Sequence, residues 1–401
     1  MRKIKLYNQH NVGALGNIKS IFIILVVIYC VSCSTKDENH PETIQLSIDD
    51  FEDKVLFSDY FKLSEIIYLE TSDKSLIGEI DKIMVIDNNI YILDGTTNSL
   101  LSFNREGDFL YKIDKQGKGP GEYLHLGDII YDCKNNLLLL LDTYRHRLLK
   151  YDRRGDFVSA EMKSKFPIYE MKLIDNSRML YFSNSSNNII CNGKDFCYNL
   201  FIEKNNKIIY KGCPFPKEFK GRSYGIKYHN TLISSNKQVY LLEPFSNIIY
   251  SYKTDSLYSK YEIDFGNLTI PDDVKKSPKT LYDNENLKKY CFGMQNIYED
   301  SDILFFEYLE KFIPRGAIFE KTSMVFKSCE TYFDRTNGIP LNLVDDRGSN
   351  NFLISLLEPT AVKRFHESRK GENEPITPIL KDLVNQSDDF DNPIIILYER
   401  K

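Results

Sequence analysis

The chain has 401 residues, 42% of them hydrophobic and 27% charged, with abundant Phe and Tyr and no Trp. This is the composition of a folded chain long enough for one large all-β domain or two ordinary ones, and it excludes a disordered polymer and tryptophan-signature repeats. The first 32 residues hold Arg2, Lys3, Lys5 and Lys19 and no acid, so 48 bases face 57 acids in the remainder, a balance near −9 that excludes nucleic acid as an expected partner.

Ile21–Val31 is an apolar run behind that basic leader. It is shorter than the roughly 20 residues a membrane-spanning helix needs, and it suits the core of a secretory signal. It closes on Cys30-Val31-Ser32-Cys33. This ending resembles a bacterial lipobox with Cys33 as the lipidated residue, although Cys30 stands where Leu is usual. Residues 1–32 are therefore expected to be a lipoprotein signal peptide and 33–42 a polar tether. Lys36-Asp37-Glu38 resembles the surface-export signal of lipoproteins from Bacteroides-type bacteria. The expected location is the outer membrane, held through the lipid, with that trio pointing to the cell surface; the alternative is a plain solvated tether.

Thr43–Ile48 reads as a short strand with no local partner, and Ser58–Thr71 leads into the first full unit. Ile83–Ile86 and Ile90–Leu93 flank Asp87-Asn88-Asn89, and Leu100–Phe103 and Phe109–Ile113 flank Asn104-Arg105-Glu106-Gly107. Turn residues between alternating apolar runs make two successive hairpins, a four-stranded meander. The next unit repeats it without gaps: Asp94 maps to Asp142, Asn98 to His146, Phe103 to Tyr151 and Gly107-Asp108-Phe109 to Gly155-Asp156-Phe157, always 48 residues on. A repeat of that length made of four strands is a β-propeller blade. Later units drift: Met179–Phe182 with Leu200–Ile202 and Ile208–Tyr210, Val239–Leu242 with Ile248–Tyr252, Ile303–Leu309 through Thr331, and Asn351–Leu357 with Pro393–Tyr398. The count is six blades. The early strand at 43–48 is expected to pair with the C-terminal strand and close the ring.

Two interruptions are expected to be helical. In 267–302, Leu287, Tyr290, Cys291, Met294, Ile297 and Tyr298 fall at helical spacing, and Pro378 opens a short helix with Ile379, Leu380, Leu383 and Val384 on one face. Tyr282, Tyr290 and Tyr298 make the first insertion a candidate partner contact, because Tyr is favoured at interfaces.

Gly117, Gly119, Pro120, Gly121, Glu122 and Tyr123 form a glycine-rich connection between blades. No Lys-Ser/Thr follows and no helix opens there, so a phosphate loop is not expected. None of the six histidines sits in a metal-ligand motif, and His146 reads as a polar turn residue. Asp94, Asp142 and Glu243 recur at one strand end. Each is expected to accept backbone N–H bonds in its own turn; the alternative is convergence on a calcium ion in the central channel. Cys191 and Cys197 flank a turn and stand either as a disulfide or as free thiols.

With the blades placed, the chain resembles the six-bladed β-propeller lipoproteins of Bacteroides-type bacteria, related in shape to NHL-repeat propellers. The resemblance rests on Tyr68-Leu69-Glu70-Thr71, on Gly117–Tyr123 and on Asp391-Asn392-Pro393 with the apolar run after it. It implies an all-β fold of four-stranded antiparallel blades over 43–401, exported and lipid-anchored, and it implies no activity and no catalytic, cofactor or metal residues. The expected function is a non-enzymatic binding or scaffold module at the cell envelope whose ligand is a protein, peptide or glycan. The alternative is a metal-dependent, lactonase-like hydrolase or lyase with carboxylates in the channel.

Overall fold

Leu137–Asp142 carries five consecutive leucines, a pattern that suits a strand covered on both faces and not one with a wet side. Leu138 and Leu140 pack into one apolar cluster while Leu139 and Leu141 pack into the next. Asn89–Asp94 does the same, with Ile90 and Ile92 on one side and Tyr91 and Leu93 on the other. Sheets with two apolar faces must be sandwiched between neighbouring sheets, and a ring sandwiches every one.

The computed structural model describes residues 43–50, 54–162, 167–185, 191–192, 196–221, 230–236, 238–253, 256–276, 284–346, 348, 352–372 and 375–401. Six antiparallel sheets follow one another as blades I to VI of a β-propeller. Blade I is Ile80–Ile86, Asn89–Asp94, Ser99–Asn104 and Phe109–Ile113, and blade II is Leu126–Asp132, Leu137–Asp142, Arg147–Asp152 and Phe157–Met162. Blade III runs from Glu170–Asp175 to Lys207–Pro216, blade IV from Leu232–Ser235 to Ser256–Asp264, and blade V from Cys291–Glu299 to Val325–Glu330. Blade VI is Leu343–Val344, Leu353–Leu357, Ile394–Arg400 and, out of sequence, Phe61–Tyr68. One apolar cluster fills each of the six blade-to-blade interfaces.

Ring closure differs from the expectation. The closing strand is Phe61–Tyr68, antiparallel to Ile394–Arg400 with Ile394 opposite Tyr68 and Arg400 opposite Phe61. Ile44–Ser47 instead runs parallel to the outer edge of blade IV, and Lys54–Leu56 does the same on blade V. Length decides this: a seven-residue C-terminal strand needs a partner that matches it, and a four-residue strand would leave half its N–H and C=O groups unpaired. The family stretches Tyr68–Thr71 and Asp391–Tyr398 meet at this joint. Buried Asn392 accepts the Ile77 N–H at 2.9 Å, donates to the carbonyls of Glu70 (2.8 Å) and Ser75 (2.9 Å), and its own N–H reaches Thr71 Oγ1.

The helix expected over 287–298 is also corrected. Cys291–Glu299 is the inner strand of blade V, preceded by the single turns Asp272–Lys275 and Asn284–Leu287. Its register against Ile303–Glu310 slips twice, between Phe292 and Gln295 and between Gln295 and Tyr298, with Gly293 and Asn296 at positive φ. Each bulge inserts a residue and shifts the phase of a period-two pattern, so inward residues fall three or four apart and mimic a helix. The expected C-terminal helix is present as Pro378–Asn385, with Thr377 Oγ1 capping the Leu380 N–H and Leu380 and Leu383 buried. It follows a helix the sequence reading did not place, Pro359–Gly371, and both sit in the connection between the second and third strands of blade VI.

Candidate functional site

The inner strands of blades I and II begin with the same irregularity. Register slips between Ile80 and Lys82 and between Leu126 and Asp128, so Asp81 and Gly127 are the extra residues. A bulge re-aims its side chain out of the ladder. The Asp81 carboxylate rests against Gly95, where a Cβ would lie 2.4 Å from Oδ2, and at Gly127 a Cβ would lie 2.3 Å from Thr143 Cγ2. Both bulges therefore need glycine on one side of the contact. Desolvation, helped by the neighbouring Glu79, raises the Asp81 carboxyl above the usual carboxylate range.

These bulges open a basin of about 870 Å³ on the face that carries the blade-to-blade connections. Blade I supplies Asp81 and Lys82, blade II His125, Gly127, Thr143, Tyr144 and His146, and the entry to blade III Ile168 and Tyr169. Thr143, Tyr144 and His146 sit in the turn that Asp142 organises. Asp142 accepts the N–H groups of Leu124, His125 and Arg145, so it ties that turn to the incoming strand. His125 Nδ1 lies 3.0 Å from Thr143 Oγ1, and its ring stacks on Tyr144 at 4.9 Å and 15°. Tyr144 remains 70% exposed, and Tyr169 41%. His146 holds φ +51°, as does Asn98 one repeat earlier, and its buried Nδ1 has no hydrogen-bond partner among the described residues.

A second basin of about 540 Å³ lies on the same face between blades I, V and VI, lined by Glu79, Gln295, Asn296, Asn342 and Glu358 among others. Lys82 Nζ donates to Asn230 Oδ1, from blade I to the entry of blade IV, the opposite member of the ring. Beneath the second basin Glu307 is buried, its Oε2 accepting from Asn296 Nδ2 at 2.6 Å, and desolvation pushes its carboxyl up to about 7.

Around the channel, polar side chains bind one inner strand to the next. Asp128 accepts the Met171 N–H (2.8 Å), Glu170 the N–H groups of Thr231 and Leu232 (both 2.9 Å), Ser235 the Glu299 N–H (2.9 Å), Asp345 the Asn296 N–H (2.9 Å) and Asp346 the Val85 N–H (3.1 Å). Blades I and II are linked from farther out, where Asn98, in the turn between the second and third strands of blade I, accepts the Leu126 N–H and donates to the Leu124 carbonyl. Among the described residues, no group of three or more His, Cys, Asp or Glu is arranged to hold a metal ion.

The residues singled out in the sequence are dispersed. Asp94 accepts the Thr96 N–H in its own turn, as expected, and also the N–H groups of Gly78 and Glu79 on the incoming segment, just as Asp142 combines Arg145 with Leu124 and His125. Glu243 is half-buried, and desolvation raises its carboxyl to about 7. In the blade I–II connection, Glu122 accepts the Gly119 N–H at 2.6 Å over Gly117, whose Cβ would lie 2.1 Å from Glu122 Oε2. Gly121 takes φ +73° against Phe157, its carbonyl receives the Tyr151 hydroxyl, Pro120 lies between these glycines, and buried Tyr123 donates to the Ile113 carbonyl. Tyr298 is buried edge-on against Phe61 at 5.3 Å, so it is a core residue and not a surface contact. Tyr290 packs half-buried on the Phe215–Phe292 cluster. Cys33 and Tyr282 lie outside the described residues. Cys197 is disulfide-bonded, and Cys191 stands opposite it in the hairpin register.

The sequence reading missed Asp81, His125, Tyr144 and Tyr169. The available signal was local: residue 144 replaces Thr96 of the preceding repeat with a large ring that the fold leaves exposed.

The fold is that of a "putative exported protein" from Bacteroides fragilis NCTC 9343, at 18% identity over 90% of this chain and 100% of that chain, with a TM-score of 0.68. A DUF4221-family protein from Bacteroides vulgatus is also similar, at 8% identity over 85% of this chain and 98% of that chain, with a TM-score of 0.48. No curated protein matches the chain. Residues 41–399 match the family described as a domain of unknown function, DUF4934. The chain belongs to that family.

Proposed function

We propose that the protein is an exported, lipid-anchored propeller that binds a ligand on its connection-bearing face without turning it over. The observation that carries the binding reading is the basin of about 870 Å³ with Tyr144 exposed on its rim. A rigid ring that presents a concave, partly aromatic site with a few polar groups is a usual place for ligand recognition. The leader, the apolar run and the Val31-Ser32-Cys33 ending support export and lipid attachment at Cys33. The B. fragilis neighbour's name is in keeping with export. Lys36-Asp37-Glu38 supports display on the outer membrane surface.

Two measurements test the reading together. A Cys33→Ala form should lose metabolic lipid labelling and leave the membrane fraction, since several acyl chains at about 0.8 kcal/mol per buried CH₂ hold the native form there. Wild-type protein incubated with native envelope extract should retain a molecule, unchanged in mass, that a Tyr144→Ala/Tyr169→Ala form loses. Unchanged labelling refutes the anchor. Retention by both forms refutes the site, and release of a chemically altered molecule favours the hydrolase or lyase alternative.

A further inference from the structure

Resting on that binding reading, we infer that the basin between blades I, II and III takes a neutral, hydroxyl-rich saccharide stacked on Tyr144 and Tyr169. A sugar ring offers two C–H faces and a rim of hydroxyls that both donate and accept. The basin offers the complement. Tyr144 is 70% exposed, yet its back face is held by the His125 ring at 4.9 Å and 15°, and His125 is held in turn by Thr143 Oγ1 at 3.0 Å. An aromatic ring fixed this way loses little rotamer freedom when something stacks on its open face. Tyr169, 41% exposed, enters the same basin from blade III.

The polar groups fit the hydroxyl rim. Asp81 is acceptor-only when ionised, the Lys82 ammonium is donor-only, and His146 and Thr143 can do either. Among the described lining residues one carboxylate and one ammonium balance, which favours neither anions nor cations strongly. A phosphorylated ligand would call for several converging cations, and among the described lining residues Lys82 is the one Lys or Arg. A peptide adding to the sheet would need an open strand edge. The lining residues lie instead at the starts of inner strands and in one turn. The volume of about 870 Å³ falls within the range of small-ligand pockets.

The test uses the purified full chain on an array of plant, microbial and mucin-type oligosaccharides, followed by calorimetry with the best binder. Binding of at least one neutral oligosaccharide is expected. Tyr144→Ala should weaken it about tenfold, the loss of one well-formed stacking contact, while Tyr144→Phe should stay within about threefold of wild type. Because Tyr144 is so exposed, both variants should melt like the wild type, which keeps the comparison interpretable. A blank array overturns the inference, as does binding that Tyr144→Ala and Tyr169→Ala leave unchanged. If the array is blank while a non-saccharide envelope molecule is retained by wild type and lost from Tyr144→Ala, the saccharide class falls and the binding reading stands.

Discussion

Glu299 collects four side-chain donors between blades IV and V, and its replacement by Gln tests how the ring is held there. Its side chain is 4% exposed. Oε1 accepts from Lys260 Nζ at 2.7 Å, Lys321 Nζ at 2.6 Å and Tyr261 OH at 2.9 Å, and Oε2 accepts from Tyr240 OH at 2.6 Å. Burial alone would raise this carboxyl, but the Lys260 and Lys321 ammoniums and the Tyr240 hydroxyl hold it below the usual range. Glu299→Gln keeps the shape, removes the charge and leaves two partly buried ammoniums without their counter-ion. Breaking a buried pair by neutralising one partner costs about 3–5 kcal/mol. We expect the low half of that range, because Lys260 and Lys321 remain 25% and 23% exposed and can be partly rehydrated. The sign with pH follows from the depressed carboxyl. Its stabilisation is complete above the ordinary carboxylate pKa of 4.5 and drains away as pH falls through the folded-state value. Urea unfolding of both forms from neutral to acid pH should therefore show a gap that is widest near neutrality and narrows toward acid. A gap below about 1 kcal/mol at neutral pH, or one of constant size across the range, would refute the reasoning.

Three further outcomes follow from the same structure. Asn392→Ala strands the Ile77 N–H and the Glu70 and Ser75 carbonyls at the ring joint; at about 1–3 kcal/mol per buried group left unpaired, urea unfolding should show a loss of about 3 kcal/mol or more. Glu307→Gln should do the reverse of Glu299→Gln, because a carboxyl raised from 4.5 to about 7 makes the wild type lose stability as pH rises between those values. The variant should match wild type at acid pH and exceed it by up to about 3 kcal/mol in alkaline urea melts. Deleting residues 44–47 should leave a folded ring weakened by about 1.5–3 kcal/mol, the burial of Leu46, whereas deleting 61–68 should abolish cooperative unfolding altogether. Equal effects of the two deletions would return ring closure to the earlier strand.

Much of this architecture was legible because blades repeat a local rule. Leu137–Leu141 had to be covered on both faces, and the 48-residue spacing from Asp94 to Asp142 carried the meander from one blade to the next. What failed was where local pattern and global pairing part company. The Phe61–Tyr68 strand finds its partner more than 320 residues away, and nothing near it in sequence marks that partner. In Cys291–Glu299 two bulges break the alternation that identifies a strand, so the apolar spacing looks helical. The candidate site escaped for a related reason. Asp81, His125, Tyr144 and Tyr169 come from three blades, and they are gathered only when the ring closes. Each is a loop or bulge residue, outside the periodic pattern by which strands are recognised. The glycine-rich stretch Gly117–Tyr123 drew attention for its composition, yet its glycines serve a carboxylate and a tight turn within the connection itself.

Ligand capture at the Tyr144 rim, proposed above, is tested most directly by site-specific photo-crosslinking in living cells. A photoreactive amino acid at position 144 should give a discrete adduct, whereas the same group at Leu110, exposed at 45% on an outer strand, should give none. An adduct at 110 as strong as that at 144, or none at 144, would contradict the account.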